Sequence, residues 1–557
     1  MYLYEAVAEA IARHGITAIF GYLGDDIAKL VVACRERGID YYGARHENQA
    51  VAMADGFSRA TGRTAIAAVT GGPGFTNALT AVNTASRFGS GVVVIVGTGI
   101  GGPKDLSHPD VCAAMNIHCV QPGTPADTLT DVARAFRAAD AGVATVLSLP
   151  TVFMDEVTHP VERDAEAAVE LDVMVPDDAA IRNVADLLEA TWMVSRPVVL
   201  AGRGAVVSEA GPALIALAER IGALLATTLR APALFAGDPY AIGTSGTYVS
   251  PVAADLLRGA DCVLAFGASL NRFTTFDRTL FPKARLVHVD VADGAHGLHV
   301  DVDPELAVVG DARLTAEALV AELEARGHTH RGYRTPAVRR QLAEFSPATT
   351  FSDSTRHGAI DPRTLALAVD ALLPPERVVV VDGGNNSAFW VTHLQVRQPQ
   401  DFMQTSYVGG AGGIGLSLGA AIGAAIGRPD ALVVNCVGDA AHLMALADLD
   451  TAARYHVPLV VLISNDQALG AEVHYLSLVG LSTEVAEIAP PDLVAVAQAL
   501  GAEAMTIDSV ADLDNLARRL AEPITGPIVV DCHVDRSVRA DWVDMLWGNR
   551  VVPLGRT

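Results

Sequence analysis

Residues 435–470 read NCVGDAAHLMALADLDTAARYHVPLVVLISNDQALG. The apolar run that leads in, ALVVNCV, stops at Gly438-Asp439. A helical stretch follows from Ala440 to Tyr455. Pro458 then opens a second apolar run, PLVVLIS, which ends in Asn465-Asp466-Gln467. Both runs are continuously apolar rather than alternating, the pattern of strands buried on both faces, and so of a parallel sheet covered by helices. Two neighbouring parallel strands would deliver their terminal carboxylates and amides to one crevice at the carboxyl end of the sheet, where ligands of open α/β sheets bind.

The same alternation runs through the chain. TAIAAVTG, GVVVIVGTG, RPVVLAGRG, CVLAFGASL, RLVHVDV and RVVVVDGG are short Val/Ile-rich runs separated by Ala/Leu-rich helical stretches. This predicts an α/β fold of doubly wound domains with parallel sheets. Polar, Pro-containing stretches around residues 155–180 and 328–362 break the pattern and read as connectors. They divide the 557 residues into three units, 1–165, 180–328 and 358–557.

Half of the residues are apolar and the formal net charge is −24. That balance excludes a disordered chain and a basic nucleic-acid binder, and disfavours an anionic membrane surface. No run of about 18 uncharged apolar residues has the flanks of a membrane span. The N-terminus, MYLYEAVAEAIARHG, patterns as an amphipathic helix and not as a signal peptide. Cys34, Cys112, Cys119, Cys262, Cys436 and Cys532 form no metal-type pairs and read as reduced thiols. A cytoplasmic enzyme acting on a small molecule is the expectation.

The ends of the two runs predict a metal and phosphate site. Their side chains offer oxygen only, which suits Mg²⁺ sharing phosphate oxygens. The helix start after Gly438 adds the backbone N–H groups of Ala440 and Ala441 as phosphate donors. Here the stretch resembles the signature of thiamine-diphosphate-dependent enzymes, a Gly-Asp-Gly followed at a set interval by Asn-Asn. The resemblance implies Asp439, Asp466 and the backbone carbonyl of Ala468 as metal ligands. Two positions depart from the pattern: Ala440 replaces the second glycine, and Asp466 replaces the second asparagine and adds negative charge.

Further segments carry the resemblance through the chain. YYGARHENQAVAMADGFS (41–58) places Glu47 at a helix start. The family's Glu in this segment hydrogen-bonds N1′ of the aminopyrimidine and promotes loss of the proton from C2 of the thiazolium. VTGGPGFTNALTAV (69–82) resembles the segment beside the pyrimidine. YVGGAGGIGLSLGAAIGAAIG (407–427) resembles the segment under the bent cofactor, with Ile414 as the wedge between its rings. In DGGNNSAFW (382–390), Asn385 and Asn386 align with residues that hold the diphosphate. The resemblance implies pyrimidine-binding, central and diphosphate-binding domains in that order. It also implies a homodimer at least, with homotetramers common among relatives, because each cofactor lies between two subunits. One chain alone is expected to leave Glu47 and Asp439 on separate surfaces. Some relatives bind FAD or an ADP moiety in the central domain, and Gly202-Arg203-Gly204 does not decide that question.

Three reactions share this chemistry: 2-oxoacid decarboxylation, carboligation of the acetolactate-synthase type, and 2-hydroxyacyl-CoA or hydroxyketone cleavage. For the first, Asp25 in GYLGDDI and Glu472 fall where decarboxylases carry acids. Their adjacent His-His pair is missing, only the isolated His108 and His118 standing in that region, and His474 is a substitute. DQALG (466–470) favours the second. Arg536, Arg539 and Arg550 are candidates to meet a CoA phosphate in the third. The expected function is an acetolactate-synthase-like decarboxylase or carboligase, with the lyase as alternative and a non-catalytic cofactor-binding relative as the remote one.

Overall fold

The computed structural model describes residues 1–99, 106–158, 174–191, 195–291, 302–330, 332–406 and 412–548. Residues 407–411 of the Gly-rich segment, residues 159–173 of the first connector, and Arg550 lie outside them.

Three sheets of six strands follow one another along the chain. The first holds β1 (Ala18–Tyr22), β2 (Asp40–Gly43), β3 (Ala65–Val69), β4 (Val92–Thr98), β5 (His118–Val120) and β6 (Thr145–Pro150), in the order β2-β1-β3-β4-β6-β5. The second holds β7 (Pro197–Ala201), β8 (Leu224–Thr227), β9 (Ala241–Thr244), β10 (Cys262–Phe266), β11 (Arg285–Asp290) and β12 (Leu306–Val309), in the order β12-β11-β10-β7-β8-β9. The third holds β13 (Arg377–Val381), β14 (Phe402–Gln404), β15 (Leu432–Gly438), β16 (Leu459–Asn465), β17 (Glu503–Ile507) and β18 (Pro527–His533), in the order β14-β13-β15-β16-β18-β17. All pairings in these sheets are parallel. Central strands such as β3, β4, β7, β10 and β16 are buried along their whole length, as continuous apolar runs require.

The second order reverses direction once, and the first and third do so twice; a crevice opens at the carboxyl ends of the strands flanking the interior reversal. Those strands are β1 and β3 in the first sheet, β7 and β10 in the second, and β13 and β15 in the third.

The first and third units share one hydrophobic core. It runs from Phe20, Met53 and Val94 of the first to Val380, Ile422 and Val461 of the third. At its centre, the helix α1 (Glu47–Thr61) lies along the helix α2 (Ser417–Gly427). Small residues let the two backbones touch: a Cβ on Gly56 would collide with the Ala420 carbonyl, and one on Gly423 with the Met53 carbonyl. The central unit keeps its own cores on the two faces of its sheet.

The helix expected from Ala440 to Tyr455 is broken. A helix α3 (Asp439–Ala445) tightens into a 3₁₀ turn at Leu446–Asp448 and resumes at Leu449–Arg454. The buried Asp448 carboxylate at the break accepts from the Arg45 N–H (2.8 Å) and the Thr451 hydroxyl (2.9 Å), so a tertiary contact overrides helical continuity. All six cysteines are free thiols. Among the described residues no helix is long and apolar enough to cross a membrane.

Candidate active site

The crevice of the third sheet is lined by acids. Asp439, the first residue of α3, is 2% exposed. Its Oδ1 accepts from the Ala440 N–H at 2.9 Å. Its Oδ2 is buried without a partner. Burial, and then the nearby Asp466, push its carboxyl up to about 7. Asp466 ends the next strand and is also buried; its Oδ1 accepts from the Ala468 N–H (3.2 Å) and its Oδ2 from the Asn386 amide (3.1 Å). Burial pushes its carboxyl up to about 6. Gln467 turns the chain with φ +57°, a left-handed conformation at the tip of the Asp466–Ala468 turn.

Two buried acids side by side, one with an orphaned oxygen, cost free energy unless a proton or a cation neutralises them. Oxygen donors fit a hard cation. Among the described residues no group of three or more His, Cys, Asp or Glu side chains could hold a metal unaided. A cation at Asp439 and Asp466 therefore needs further oxygens, of the kind a diphosphate carries.

The neighbouring strand, β13, ends in Asp382, which the sequence reading missed. Its buried carboxylate accepts from the Gly383 N–H at 2.7 Å and from the Gly415 and Ser417 N–H groups at 3.1 Å each. It holds the turn carrying Ile414, and burial raises its carboxyl. Ile414 is 40% exposed, so it is not a core residue; its side chain lies beside Gly383. Asn386 is the amide that touches Asp466. Asn385 is otherwise engaged: its Nδ2 donates to the Val538 carbonyl (3.0 Å) and its Oδ1 accepts from the Ala540 N–H (2.9 Å), which pins the C-terminal segment.

Glu47 opens α1 and is buried, with the Asn77 amide donating to its Oε2 at 3.1 Å. A carboxylate there is favoured by the helix dipole. His46 caps the helix, its Nδ1 accepting from the Asn48 N–H at 3.1 Å. One residue further on, Gln49 donates to the Gly415 carbonyl (2.7 Å) and accepts from the Gly419 N–H (3.1 Å). The Gly43 N–H donates to the Tyr455 hydroxyl at 2.9 Å. Within a single chain the first turn of α1 is thus bonded to the turn of Ile414, and the end of β2 to the segment after α3.

Residues 1–100 match the description "Thiamine pyrophosphate enzyme, N-terminal TPP binding domain", residues 181–319 the central domain, and residues 382–532 the C-terminal TPP binding domain. The chain belongs to the thiamine pyrophosphate enzyme family. It is 27% identical to a probable acetolactate synthase large subunit of Methanocaldococcus jannaschii, over 95% of this chain and 91% of that one. It is 29% identical to an acetolactate synthase large subunit of Parasynechococcus marenigrum, over 95% and 87%. It is 30% identical to a sulfoacetaldehyde acetyltransferase of Rhodobacter capsulatus, over 82% and 81%. It is a thiamine-pyrophosphate-dependent enzyme that makes or breaks carbon–carbon bonds.

The other predicted residues of this thiamine pyrophosphate enzyme are spread more widely. Asp25 is exposed at the start of a helix over Asp25–Arg35. It lines a cavity of about 640 Å³ at the crevice of the first sheet, together with Thr70, Gly72, His108 and Asp155. Its neighbour Asp26 reaches deeper: its Oδ2 accepts from the Gly71 N–H at 2.7 Å, and its Oδ1 is buried without a partner. The adjacent acids in GYLGDDI were the available signal for it. His108 is buried with its Nδ1 against the Ser148 hydroxyl at 2.9 Å, whereas His118 stands on β5 with its Nδ1 at the Thr145 hydroxyl, 3.0 Å away. Glu472 and His474 share a helix over Gly470–Leu478 but lie about 200° apart around it, so they face opposite ways. Glu472 is exposed; His474 is buried, which lowers its pKa, and its Nε2 has no partner. Arg536 pairs with Glu487 (3.2 Å) and Arg539 with Asp544 (2.9 Å).

At the crevice of the central sheet, among the described residues, the glycines pack against neighbouring backbone. The Gly202 N–H donates to the Phe266 carbonyl and the Gly204 N–H to the Gly267 carbonyl, each at 2.9 Å. A Cβ on Gly202 would collide with the Gly267 carbonyl. Close backbone packing accounts for these glycines, and nothing in the structure supports FAD or ADP between them.

Proposed function

We propose that the chain is a thiamine-diphosphate- and Mg²⁺-dependent enzyme of the acetolactate-synthase type, a decarboxylase or carboligase acting on a 2-oxoacid. The observation that carries this reading is the buried pair Asp439 and Asp466, with one orphaned oxygen, beside a turn that is hydrogen-bonded to the helix of Glu47.

Asp439, Asp466 and the Ala468 carbonyl would hold the cation at the diphosphate. Gly438, Ala440 and Ala441 present the start of α3 to the diphosphate. Asn386 orients Asp466. Ile414 would pack against the cofactor rings. Bound thiamine diphosphate supplies a carbon nucleophile for the substrate carbonyl. Glu47, fixed by Asn77, would be the proton-exchanging acid at the pyrimidine ring. Asp25, Asp26, Glu472 and His474 are the candidates for proton transfer to the substrate. Repulsion between Asp439 and Asp466 makes cofactor binding strongly dependent on the cation, more so than an asparagine at 466 would.

The relatives named acetolactate synthase favour a second 2-oxoacid or an aldehyde as acceptor. The relative named sulfoacetaldehyde acetyltransferase supports the broader class, transfer of a two-carbon acetyl group. The CoA-lyase reading is weaker, because Arg536 and Arg539 are occupied by Glu487 and Asp544. We take the three units as 1–165, 180–328 and 358–557, and the working form as a cytoplasmic homodimer or homotetramer.

The test is incubation with thiamine diphosphate, Mg²⁺ and a panel of 2-oxoacids, aldehydes and hydroxyacyl-CoAs, with products read by mass spectrometry. Decarboxylation or ligation of a 2-oxoacid is expected; cleavage of a hydroxyacyl-CoA alone would overturn the reading. A melting temperature unmoved by the cofactor and Mg²⁺ would instead favour a non-catalytic relative.

A further inference from the structure

The acids that end the strands of the third crevice are not equivalent. Asp439 keeps an oxygen without a partner. Both oxygens of Asp382, which is 1% exposed, are taken. Its Oδ1 accepts from the Gly383 N–H at 2.7 Å and from the Gly415 N–H at 3.1 Å. Its Oδ2 accepts from the Gly415 and Ser417 N–H groups at 3.1 Å each. N–H groups converging in this way need two acceptor oxygens. An asparagine offers one, beside an amide NH₂ that would meet a donor, so a carboxylate alone serves them all. It also stands at the N-terminus of α2, where the helix dipole favours negative charge. What Asp382 holds is therefore the turn that carries Ile414 into α2.

That turn is tied to the other parts of the site. The Asp382 N–H donates at 2.9 Å to the carbonyl of Cys436, on the strand that leads into Asp439. A Cβ on Gly415 would lie 2.7 Å from the Cβ of Met444 on α3. A Cβ on Gly413 would lie 2.7 Å from the methyl of Thr80, on the helix Pro73–Phe88 that also carries Asn77, the partner of Glu47. The Gly415 carbonyl accepts from the side chain of Gln49, two residues along α1 from Glu47 and 3% exposed. The same side chain accepts from the Gly419 N–H. Asp382, Gly415 and Gln49 thus form one hydrogen-bonded chain, from the strand end beside Asp439 to the helix of Glu47. Ile414 sits between Gly413 and Gly415, so its place follows from these contacts.

We propose that Asp382 is a positioning residue for loss of the cofactor's C2 proton: acting through Gly415 and Gln49, it fixes the turn of Ile414 relative to Glu47. The inference rests on Glu47 and Ile414 meeting the cofactor rings, as proposed above, and not on which substrate is used. A displacement on the order of 1 Å between groups that must meet slows a step about a hundredfold. The diphosphate end has its own residues, Asp439 and Asp466, and is touched less.

The test needs no substrate. The enzyme loaded with thiamine diphosphate and Mg²⁺ is transferred to deuterium oxide, and exchange of the thiazolium C2 hydrogen is read by proton NMR after acid quench. Cofactor affinity is read in parallel by calorimetry. Asp382→Asn is expected to slow C2 exchange about tenfold or more, the scale of a lost charge-assisted hydrogen bond, while cofactor affinity falls by a smaller factor. Gln49→Asn, whose shorter amide cannot span Gly415 and Gly419, is expected to slow exchange likewise, and decides the matter should Asp382→Asn fail to fold. Unchanged exchange in a folded variant would overturn the proposal, as would an affinity that falls as far as the exchange rate does. A parent enzyme that binds the cofactor without exchanging C2 would overturn it too. Because no 2-oxoacid is present, failure of the substrate reading leaves these measurements unaffected.

Discussion

The second and third sheets each reverse their strand order at an interior point, yet their crevices have opposite character. In the second, the loops after β7 and β10 close on each other through paired backbone hydrogen bonds at Gly202 and Gly204. In the third, the ends of β13, β15 and β16 turn three buried carboxylates, Asp382, Asp439 and Asp466, into the gap. Doubly wound topology supplies the opening in both; the residue at the strand end decides whether it becomes packing or chemistry.

Substitution at either crevice can break that contrast. The largest effect is expected at Asp439→Ala, which should weaken metal-dependent binding of thiamine diphosphate roughly a hundredfold or more, since it strips one partner from a buried charged site. Unchanged affinity in calorimetry would remove Asp439 from the site. Glu47→Gln keeps the shape of the α1 start and should lower turnover by about 10²–10⁴, with circular dichroism and melting unchanged; full activity would dismiss Glu47 as the essential acid.

At the closed crevice, Gly202→Ala should cost about 1–3 kcal/mol of stability through overpacking, while cofactor affinity stays as it was. A loss of affinity there would mean that the two crevices are not as different as their geometry says. A further effect is a pH dependence of the cofactor-free protein. Asp439 and Asp466 hold protons in the folded state up to about 7 and about 6, whereas an unfolded aspartate releases its proton near 4. The folded state thus binds more protons between those values, and stability falls as pH rises from about 4 through 7. The slope is at most about 1.4 kcal/mol per pH unit for each acid. Mg²⁺ with thiamine diphosphate should flatten that slope in urea titrations; a slope indifferent to both would contradict a cation between the two acids.

Much of this was legible in the sequence, because continuous apolar runs leave few alternatives to parallel sheets and strand ends carry the ligands. Asp439 and Asp466 were visible as the last residues of two such runs. Asp382 was not, since its work is to accept N–H groups from a turn more than thirty residues away. Asn385 and Asn386 look alike in sequence, and only folding sends one to the C-terminal segment and the other to Asp466. The same holds for Glu472 and His474, whose two-residue spacing on a helix separates them. The contact between α1 and α2 was hidden because glycine and alanine in a helix signal closeness without naming the partner.

The shared core of the first and third units bears on how the chain could be rebuilt. With Phe20, Met53, Ile422 and Val461 buried in one cluster and two helices touching at their backbones, the outer thirds are a single body in folding terms. The middle third, with cores of its own, is then an insertion carried on that body. A shortened polypeptide that joins residue 158 to residue 350 through a flexible tether should keep α1 packed on α2, whereas severing the outer thirds from each other would expose the interior of both.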